Sequence, residues 1–214
     1  LSDFQHQVRL RWPKAAVGPT VKHIGVFYQR DGGNAMELRS RAAAAKAAWA
    51  KLGGWWNAPV ELQHRRAAYC AHVRSTLVSA LHVRVLRRSE LTMLETTQMK
   101  WLRQLLKSAA RGLTNEQVRE RLGCPTITSL LVVARLRWLQ RLAKGGVTQV
   151  LLAFTGRSAL DMGPPLDANG TPTQHANPWL RMTWQDLQQL AQHSEPVADA
   201  LREFGWYAVT TSPA

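Results

Sequence analysis

Arginine and lysine side chains at helical spacing are the groups in this sequence with the clearest chemistry, because such rows can bind phosphate. Two long stretches, residues 62–89 and 121–160, contain several arginines but no Asp or Glu. Like charges four residues apart on a helix repel, so a solvated face usually mixes signs. Rows of one sign on helices that also have apolar faces indicate a folded protein that meets a polyanion.

These basic rows fall on three predicted helices. They are Arg66 with Arg74 on the second helix, Arg103 with Lys107 on the third, and Arg137 with Arg141 and Lys144 on the fifth. Rows of this kind suit the phosphates of nucleic acid, since phosphate contacts supply most of the sequence-independent affinity. The alternative is an ordinary basic surface on which long side-chain stems cover apolar area.

The acidic residues do not form a catalytic group. Phosphoryl transfer with two metal ions needs carboxylates that hold the ions about 3.5–4 Å apart. Glu195, Asp199 and Glu203 recur every four residues on a predicted helix, which is typical of a solvated face. The sequence also lacks a G-x-S-x-G elbow and a G-x-x-x-x-G-K-[ST] loop. We therefore predict no catalytic residue and no cofactor for this chain.

Histidine and cysteine side chains do not predict a metal site. On a helix, His64 and His72 lie about 12 Å apart, since each residue adds about 1.5 Å. A zinc ion holds its ligands at about 2.0–2.3 Å, so this helix alone cannot bring both to one ion. Cys70 and Cys124 are too few for a disulfide framework or a four-cysteine zinc site. We predict two reduced thiols in an intracellular protein.

Composition limits the class of protein. The 214 residues have a formal net charge of +14, which favours a negatively charged partner. A hydrophobic fraction of 45% is enough for a core and too high for a disordered tail. No apolar run approaches the roughly 18–20 residues of a spanning helix, so we expect no membrane partner and a nuclear or cytoplasmic location. The chain starts at Leu1, which predicts a trimmed start or a fragment of a longer reading frame.

Local signals place the helices. Asn34 with Glu37 matches a capping box at the start of a long first helix. Ser89 is predicted to cap the third helix, and Thr114 with Gln117 the short fourth helix. Apolar residues at helical spacing then predict which face of each helix points inward.

Tryptophan is abundant in the predicted helices. Trp49, Trp101 and Trp138 fall on apolar faces and are predicted to be core residues. Trp55 and Trp56 follow a Gly-Gly turn, where helix packing is the main interpretation and base stacking the alternative.

Together these elements predict a mainly α fold: a short N-terminal β segment, a four- to five-helix bundle and a small helical C-terminal tail. The β segment contains a strand over 21–28 and belongs to residues 1–33. The bundle is predicted at 34–144 and the tail at 183–214. Between them, the Gly- and Pro-rich residues 145–182 are predicted to be a linker.

The order of these elements resembles one family. The strand HIGV at 23–26 is similar to the "K-Y-L-G" strand that follows the catalytic palm in reverse transcriptases of non-LTR (LINE-type) retrotransposons. The ELRSR segment at 37–41 resembles that family's "E-I-x-x-R-I-x-x-A" helix. Residues 68–77 are similar to its "Y-x-x-x-V-x-x-x-L" helix, and RLRWL at 135–139 to its "R-x-R-W-x-G-H" stretch. Leu94 with WLR at 101–103 resembles its "L-E…L-R" helix.

The resemblance implies a primer-grip strand and a helical thumb that hold an RNA–DNA or DNA duplex. It also implies that the catalytic aspartates, the Mg ions that the polymerase uses and the palm and fingers domain belong to a part upstream. This chain would then be an inactive thumb and connection fragment. The predicted backbone contacts are Lys22, Arg39, Arg66, Arg74, Arg103, Lys107, Arg137 and Arg141.

Two other interpretations remain open. Residues 114–142 imitate a helix-turn-helix DNA-binding module, with Gly123 at the turn. A recognition helix needs polar side chains that reach base edges, whereas Ile127, Leu130 and Leu131 make this one apolar at its start. The second interpretation is a peripheral membrane protein with basic amphipathic helices, although caps and turns suit a bundle better.

Overall fold

The computed structural model describes residues 20–23, 26–29, 33–144 and 178–204, and these are mainly α-helical, as predicted. Its elements are strands β1 (Thr20–His23) and β2 (Val26–Gln29), and helices α1 (Ala35–Leu52), α2 (Leu62–Ala68), α3 (Ser75–Val78), α4 (Arg88–Leu106), α5 (Asn115–Leu122), α6 (Ile127–Lys144), α7 (Pro178–His193) and α8 (Glu195–Phe204). A π-helical turn, π1 (Tyr69–Arg74), joins α2 to α3 without a break. Single 3₁₀ turns cover Gly53–Asn57, Leu81–Val83 and Lys107–Ala110.

The predicted strand over 21–28 is divided into the antiparallel strands β1 and β2, with Lys22 opposite Phe27. An isolated two-stranded ribbon has little stability of its own. This one is attached to the bundle because the Phe27 N–H donates to the Glu37 carboxylate at 2.6 Å and Arg84 donates to the Phe27 carbonyl. Residues 1–19 of the predicted N-terminal segment lie outside the described residues.

Two of the three predicted helix caps are wrong. Asn34 makes no capping bond; its amide instead donates to the Val85 carbonyl at 2.9 Å and accepts from Arg84 at 3.1 Å. Glu37 is only 1% exposed and is held by Phe27 and Arg41 rather than by the helix start. The tertiary partners available to these side chains outcompete the local cap.

The cap of α4 is also displaced, while that of α5 is confirmed. Ser89 lies inside α4, and the Glu90 carboxylate accepts from the Arg87 N–H at 2.7 Å. At α5, Thr114 and Gln117 form the predicted reciprocal bonds, 2.8 and 3.3 Å long. Gly123 ends this helix in the left-handed region, at φ 55°.

Aromatic rings form the centre of the bundle. Trp49 stacks on Trp56 with ring centroids 4.1 Å apart, and the ring centroid of Trp101 lies 6.2 Å from that of Trp49. Tyr69 is fully buried and meets Trp49 edge-on at 6.5 Å. Trp55 packs at right angles to Trp56, so these residues serve packing rather than base stacking.

The C-terminal tail docks on the bundle. Its first helix starts at Pro178, before the predicted boundary at 183, and proline suits this first position. Trp179 packs on Trp138 at 5.1 Å and donates its indole N–H to the His82 carbonyl at 2.8 Å. The remaining predicted linker, residues 145–177, lies outside the described residues.

A buried ion pair fixes α7 to α6. Arg135 Nε lies 2.7 Å from Asp186 Oδ2, and the two side chains are only 6% and 12% exposed. Burial raises the pKa of Asp186, while the Arg135 guanidinium opposes that rise. The tail therefore docks through one charge pair inside an apolar contact.

Replacing Asp186 with Ala should release α7. The Arg135 guanidinium would then stay buried without a counter-charge, which costs about 3–5 kcal/mol. Hydrogen exchange of the α7 amides should accelerate strongly. The matched control is Asp199→Ala, whose pair with Arg202 is exposed and should change stability by less than about 1 kcal/mol. Unchanged exchange in Asp186→Ala would show that apolar packing alone holds the tail.

Candidate nucleic-acid interface

The structure distributes the predicted phosphate contacts over several parts of the surface. Arg39 is exposed on α1, and Arg137 and Arg141 are exposed on α6. Arg141 lies near His82, whose pKa is lowered by burial and then by Arg141 and Arg135. Lys22 lies in β1, and its side chain is outside the description. None of these residues lines the surface cleft that contains Arg66 and Arg74.

The predicted phosphate contacts whose side chains are described form no ion pairs with carboxylates. Among the described side chains, the cations paired with carboxylates are Arg41, His64, Arg119, Arg135 and Arg202. None of these was a predicted phosphate contact. Within the described part of the chain, Arg66, Arg74, Arg137 and Arg141 therefore form no ion pair with a carboxylate.

Arg66 and Arg74 are the predicted residues that the structure brings together. They line a surface cleft of about 380 Å³ between the α2–π1 segment and the turn that follows α5. Its lining residues are Gln63, Arg66, Ala67, Cys70, Arg74, Gly123 and Pro125. We name this the Arg66–Arg74 cleft. None of its lining residues is acidic, so an anion that enters meets two guanidinium groups without a competing carboxylate.

The π-helical turn aligns the two arginines. In an unbroken α-helix, residues eight apart differ in direction by about 80°, since each residue advances about 100°. In π1 the bonding widens, and the Ser75 N–H donates to the Cys70 carbonyl five residues back. The wider turn offsets the α-helical advance, so Arg66, Cys70 and Arg74 line one cleft.

Hydroxyl groups satisfy the carbonyls that the wider turn leaves. Thr76 donates to the His72 carbonyl at 2.7 Å, and Ser75 donates to the Ala71 carbonyl. The sequence contains a signal for this turn that we did not use. The fully buried Tyr69, Val73 and Leu77 recur strictly every four residues, which is longer than the α-helical period of 3.6.

A close contact fixes Arg66 in the cleft. Its Nη2 donates to the Gly123 carbonyl at 3.2 Å. A Cβ at position 123 would lie 3.2 Å from that nitrogen, which a small shift of the Arg66 side chain would relieve, so the positive φ is the reason for glycine here. Arg66 is thus held against the α5 turn while its charge stays exposed.

Cys70 lies on the wall of the cleft, and the buried Cys124 follows Gly123 beside it. A hydrogen bond from Cys124 lowers the pKa of Cys70 to about 6, with Arg74 and Arg66 acting in the same direction against burial. The same bond and burial raise the pKa of Cys124. Burial also raises the pKa of the neighbouring Tyr69. Of the two thiols, Cys70 is therefore the one that loses its proton more easily.

Arg103 has a structural position. It donates to the carbonyls of Ala110 at 3.2 Å and Leu113 at 2.9 Å and to the Asn115 side chain at 2.9 Å. These bonds hold the loop between α4 and α5. Lys107, at the start of that loop, is exposed and has a φ of +53°, where glycine is usual.

Sequence reasoning missed a second basic row on α4. Arg88 and Lys100 line a groove of about 570 Å³, in a four-residue repeat with Thr92 and Thr96 between them. Their spacing in the sequence was the available signal. The groove also contains Glu95, whose carboxylate pairs with Arg119 at 3.1 Å, so its positive charge is partly neutralised.

The helix-turn-helix candidate has an unfavourable geometry. The axes of α5 and α6 differ by a bend of 54°, whereas the helices of that motif cross at about 90–120°. Ile127 and Leu131 at the start of α6 are buried, as the sequence suggested. The Thr128 N–H is bonded to the Glu95 carboxylate at 3.1 Å, which places a negative charge where DNA would approach.

The described residues indicate neither a metal site nor a single membrane-spanning helix. Within the described ranges, no three His, Cys, Asp or Glu side chains lie close enough to share a metal ion. No single helix there is long and apolar enough to cross a membrane; α5 and α6 reach that composition only as a bent pair. Comparison of the chain with protein-family models, curated proteins and solved structures gave no match.

Changing Arg103 to Gln separates structure from binding. The loss of three hydrogen bonds should lower the free energy of unfolding by about 2 kcal/mol, measured by urea denaturation. Arg111→Gln, on the exposed part of the same loop, should change it by less than about 0.5 kcal/mol. If Arg103→Gln is as stable as the parent protein but binds nucleic acid more weakly, Arg103 is a phosphate contact after all.

Proposed function

We propose that the chain binds the sugar–phosphate backbone of a nucleic-acid duplex without catalysing a reaction. The observation that carries this proposal is the Arg66–Arg74 cleft, where two guanidinium groups meet and no carboxylate is present. A net charge of +14 supplies the long-range attraction that brings a polyanion to such a surface. Exposed Arg39, Arg137 and Arg141 extend the positive surface over neighbouring helices.

Phosphate suits the chemistry of this cleft. A guanidinium donates two parallel hydrogen bonds to phosphate oxygens, and Arg66 is already positioned by Gly123. The cleft is open to solvent, and few of its lining groups would recognise a particular base. Binding that depends on phosphates releases counterions and is therefore steeply sensitive to salt.

The biological setting we propose is the thumb and connection region of a retrotransposon-type RNA-directed DNA polymerase. In this proposal the β1–β2 ribbon corresponds to a primer grip, with Lys22 in β1 and Arg39 on α1 near the duplex. The upstream palm and fingers domain would be the partner, would hold the Mg ions and would carry out the chemistry. The support is the order of sequence motifs together with a mainly helical body that carries exposed basic residues.

The helix-turn-helix and membrane interpretations have less support. The 54° bend and the Glu95 carboxylate at the start of α6 both oppose insertion of that helix into a groove. The apolar faces of the helices pack into the bundle core instead of forming an uncovered face for lipid. Sequence-independent duplex binding remains the function that the geometry supports best.

Salt dependence tests the proposal directly. Affinity for an RNA–DNA hybrid is measured by fluorescence anisotropy between about 50 and 200 mM salt. The logarithm of the binding constant should fall linearly with the logarithm of the salt concentration. Replacing both Arg66 and Arg74 with Gln should weaken binding and reduce the slope by about 2, since each lost phosphate contact removes about one unit. Hybrids of different sequence should lose affinity equally.

The control is Arg202→Gln, which also removes a surface charge. Arg202 is exposed on α8 and already paired with Asp199, so its loss should leave the slope unchanged. A flat salt plot for the parent protein would reject phosphate binding. A normal plot with an unchanged slope in the double variant would move the interface away from the Arg66–Arg74 cleft. Strong preference for one DNA sequence would favour the helix-turn-helix interpretation.

A further inference from the structure

The Arg66–Arg74 cleft contains a second chemistry, which duplex binding does not use. Cys70 lies in π1 on the wall of the cleft and is partly exposed. Cys124 follows Gly123 in the turn after α5 and is only 3% exposed. Both are free thiols, and Gly123 and Pro125, on either side of Cys124, line the same cleft as Cys70. Two thiols 54 positions apart in sequence are therefore brought together, Cys70 at the surface and Cys124 beneath it.

The charges around this pair favour one reactive sulfur. Arg66 on α2 and Arg74 in π1 line the same cleft as Cys70, and both favour a thiolate there. The other titratable group that faces the pair is Tyr69, whose burial keeps its hydroxyl neutral. Thiolates next to arginines in partly open positions are the reactive kind, whereas buried thiols are inert.

We propose that Cys70 and Cys124 form a redox-active pair, in which Cys70 reacts with a low-molecular-weight disulfide such as oxidised glutathione and Cys124 resolves the product. The two guanidinium groups would also attract the carboxylates of such a disulfide into the cleft. The product is an intramolecular disulfide that joins π1 to the α5–α6 turn.

The reaction consists of two thiol–disulfide exchanges. The Cys70 thiolate attacks one sulfur of oxidised glutathione, so a Cys70–glutathione bond forms and the glutathione S–S bond breaks. The leaving glutathione thiolate takes up a proton from solvent. Cys124 then loses its proton to solvent and attacks the Cys70 sulfur, which releases the second glutathione. Two protein thiols are oxidised, and one disulfide is reduced to two thiols.

The order of attack follows from exposure. Cys124 is covered by the core, next to Gln98, which is fully buried and donates to the Pro125 carbonyl at 3.2 Å. A bulky disulfide can reach Cys70 from the cleft but not Cys124. Cys124 needs only to reach Cys70, which lies on the wall of the cleft that Gly123 and Pro125 also line.

Mass spectrometry of the full chain after treatment with oxidised glutathione tests the pair. The parent protein should lose both free thiols and end with an internal disulfide, without retained glutathione. Cys124→Ser should accumulate one glutathione, at Cys70. Cys70→Ser should keep its Cys124 thiol unmodified. Circular dichroism before treatment establishes that each variant is folded, and Cys124→Ala provides a second variant if the serine disturbs the core.

A pH titration supplies an independent measurement. The rate of Cys70 alkylation by iodoacetamide should rise with a midpoint at about pH 6, far below the pKa of about 8.5 for an unperturbed thiol. Arg74→Gln should move that midpoint upward, because it removes a cation that favours the thiolate. Arg202→Gln, on α8, should not move it.

Several results would overturn the proposal. Stable glutathione adducts on the parent protein would show that Cys124 does not resolve them. Equal modification of Cys124 in Cys70→Ser would remove the assigned order of attack. An alkylation midpoint near 8.5 would show that the arginines do not activate Cys70. None of these readouts uses nucleic acid, so they stand apart from the test of duplex binding.

Discussion

The widened turn at Tyr69–Arg74 is the constraint on which the rest of the molecule depends. Tyr69 enters the aromatic centre between Trp49 and Trp101, and Val73 follows it into the core. Because the turn holds one more residue than an α-helical turn would, the opposite side keeps Arg66, Cys70 and Arg74 in one cleft. Core packing and the candidate site are thus two faces of one backbone irregularity.

The few carboxylates of the chain explain why its surface remains basic. Glu37 is buried where it joins β2 to α1, Asp186 is nearly buried where it joins α7 to α6, and Glu95 links α4 to α5 and α6. Each holds separate elements together, as charges with several hydrogen bonds do when they are withdrawn from water. These three acids thus hold elements together, while Arg66, Arg137 and Arg141 of the basic rows stay exposed and form no ion pair with a described carboxylate.

Local patterns in the sequence gave correct results where no tertiary partner competed. The capping box of Thr114 with Gln117 forms because both side chains are exposed and have only each other and the helix start to bond. Asn34 and Glu37 show the same sequence pattern. Their polar atoms are instead hydrogen-bonded to Arg84, Val85 and Phe27. A side chain that is buried against other elements follows those elements, which a local pattern does not contain.

The sequence by itself determined the helical class, the excess of positive charge, the buried position of Trp101 and the partly buried positions of Trp49 and Trp138, since these depend on composition and on spacing along one helix. Only the tertiary structure decided which charges meet. It brought Arg66 and Arg74 together, gave Arg103 to a loop, docked the tail through Arg135 and set Cys70 against Cys124. The physical reason is that contacts between distant residues depend on helix packing, and a π-helical turn changes which side chains share a face.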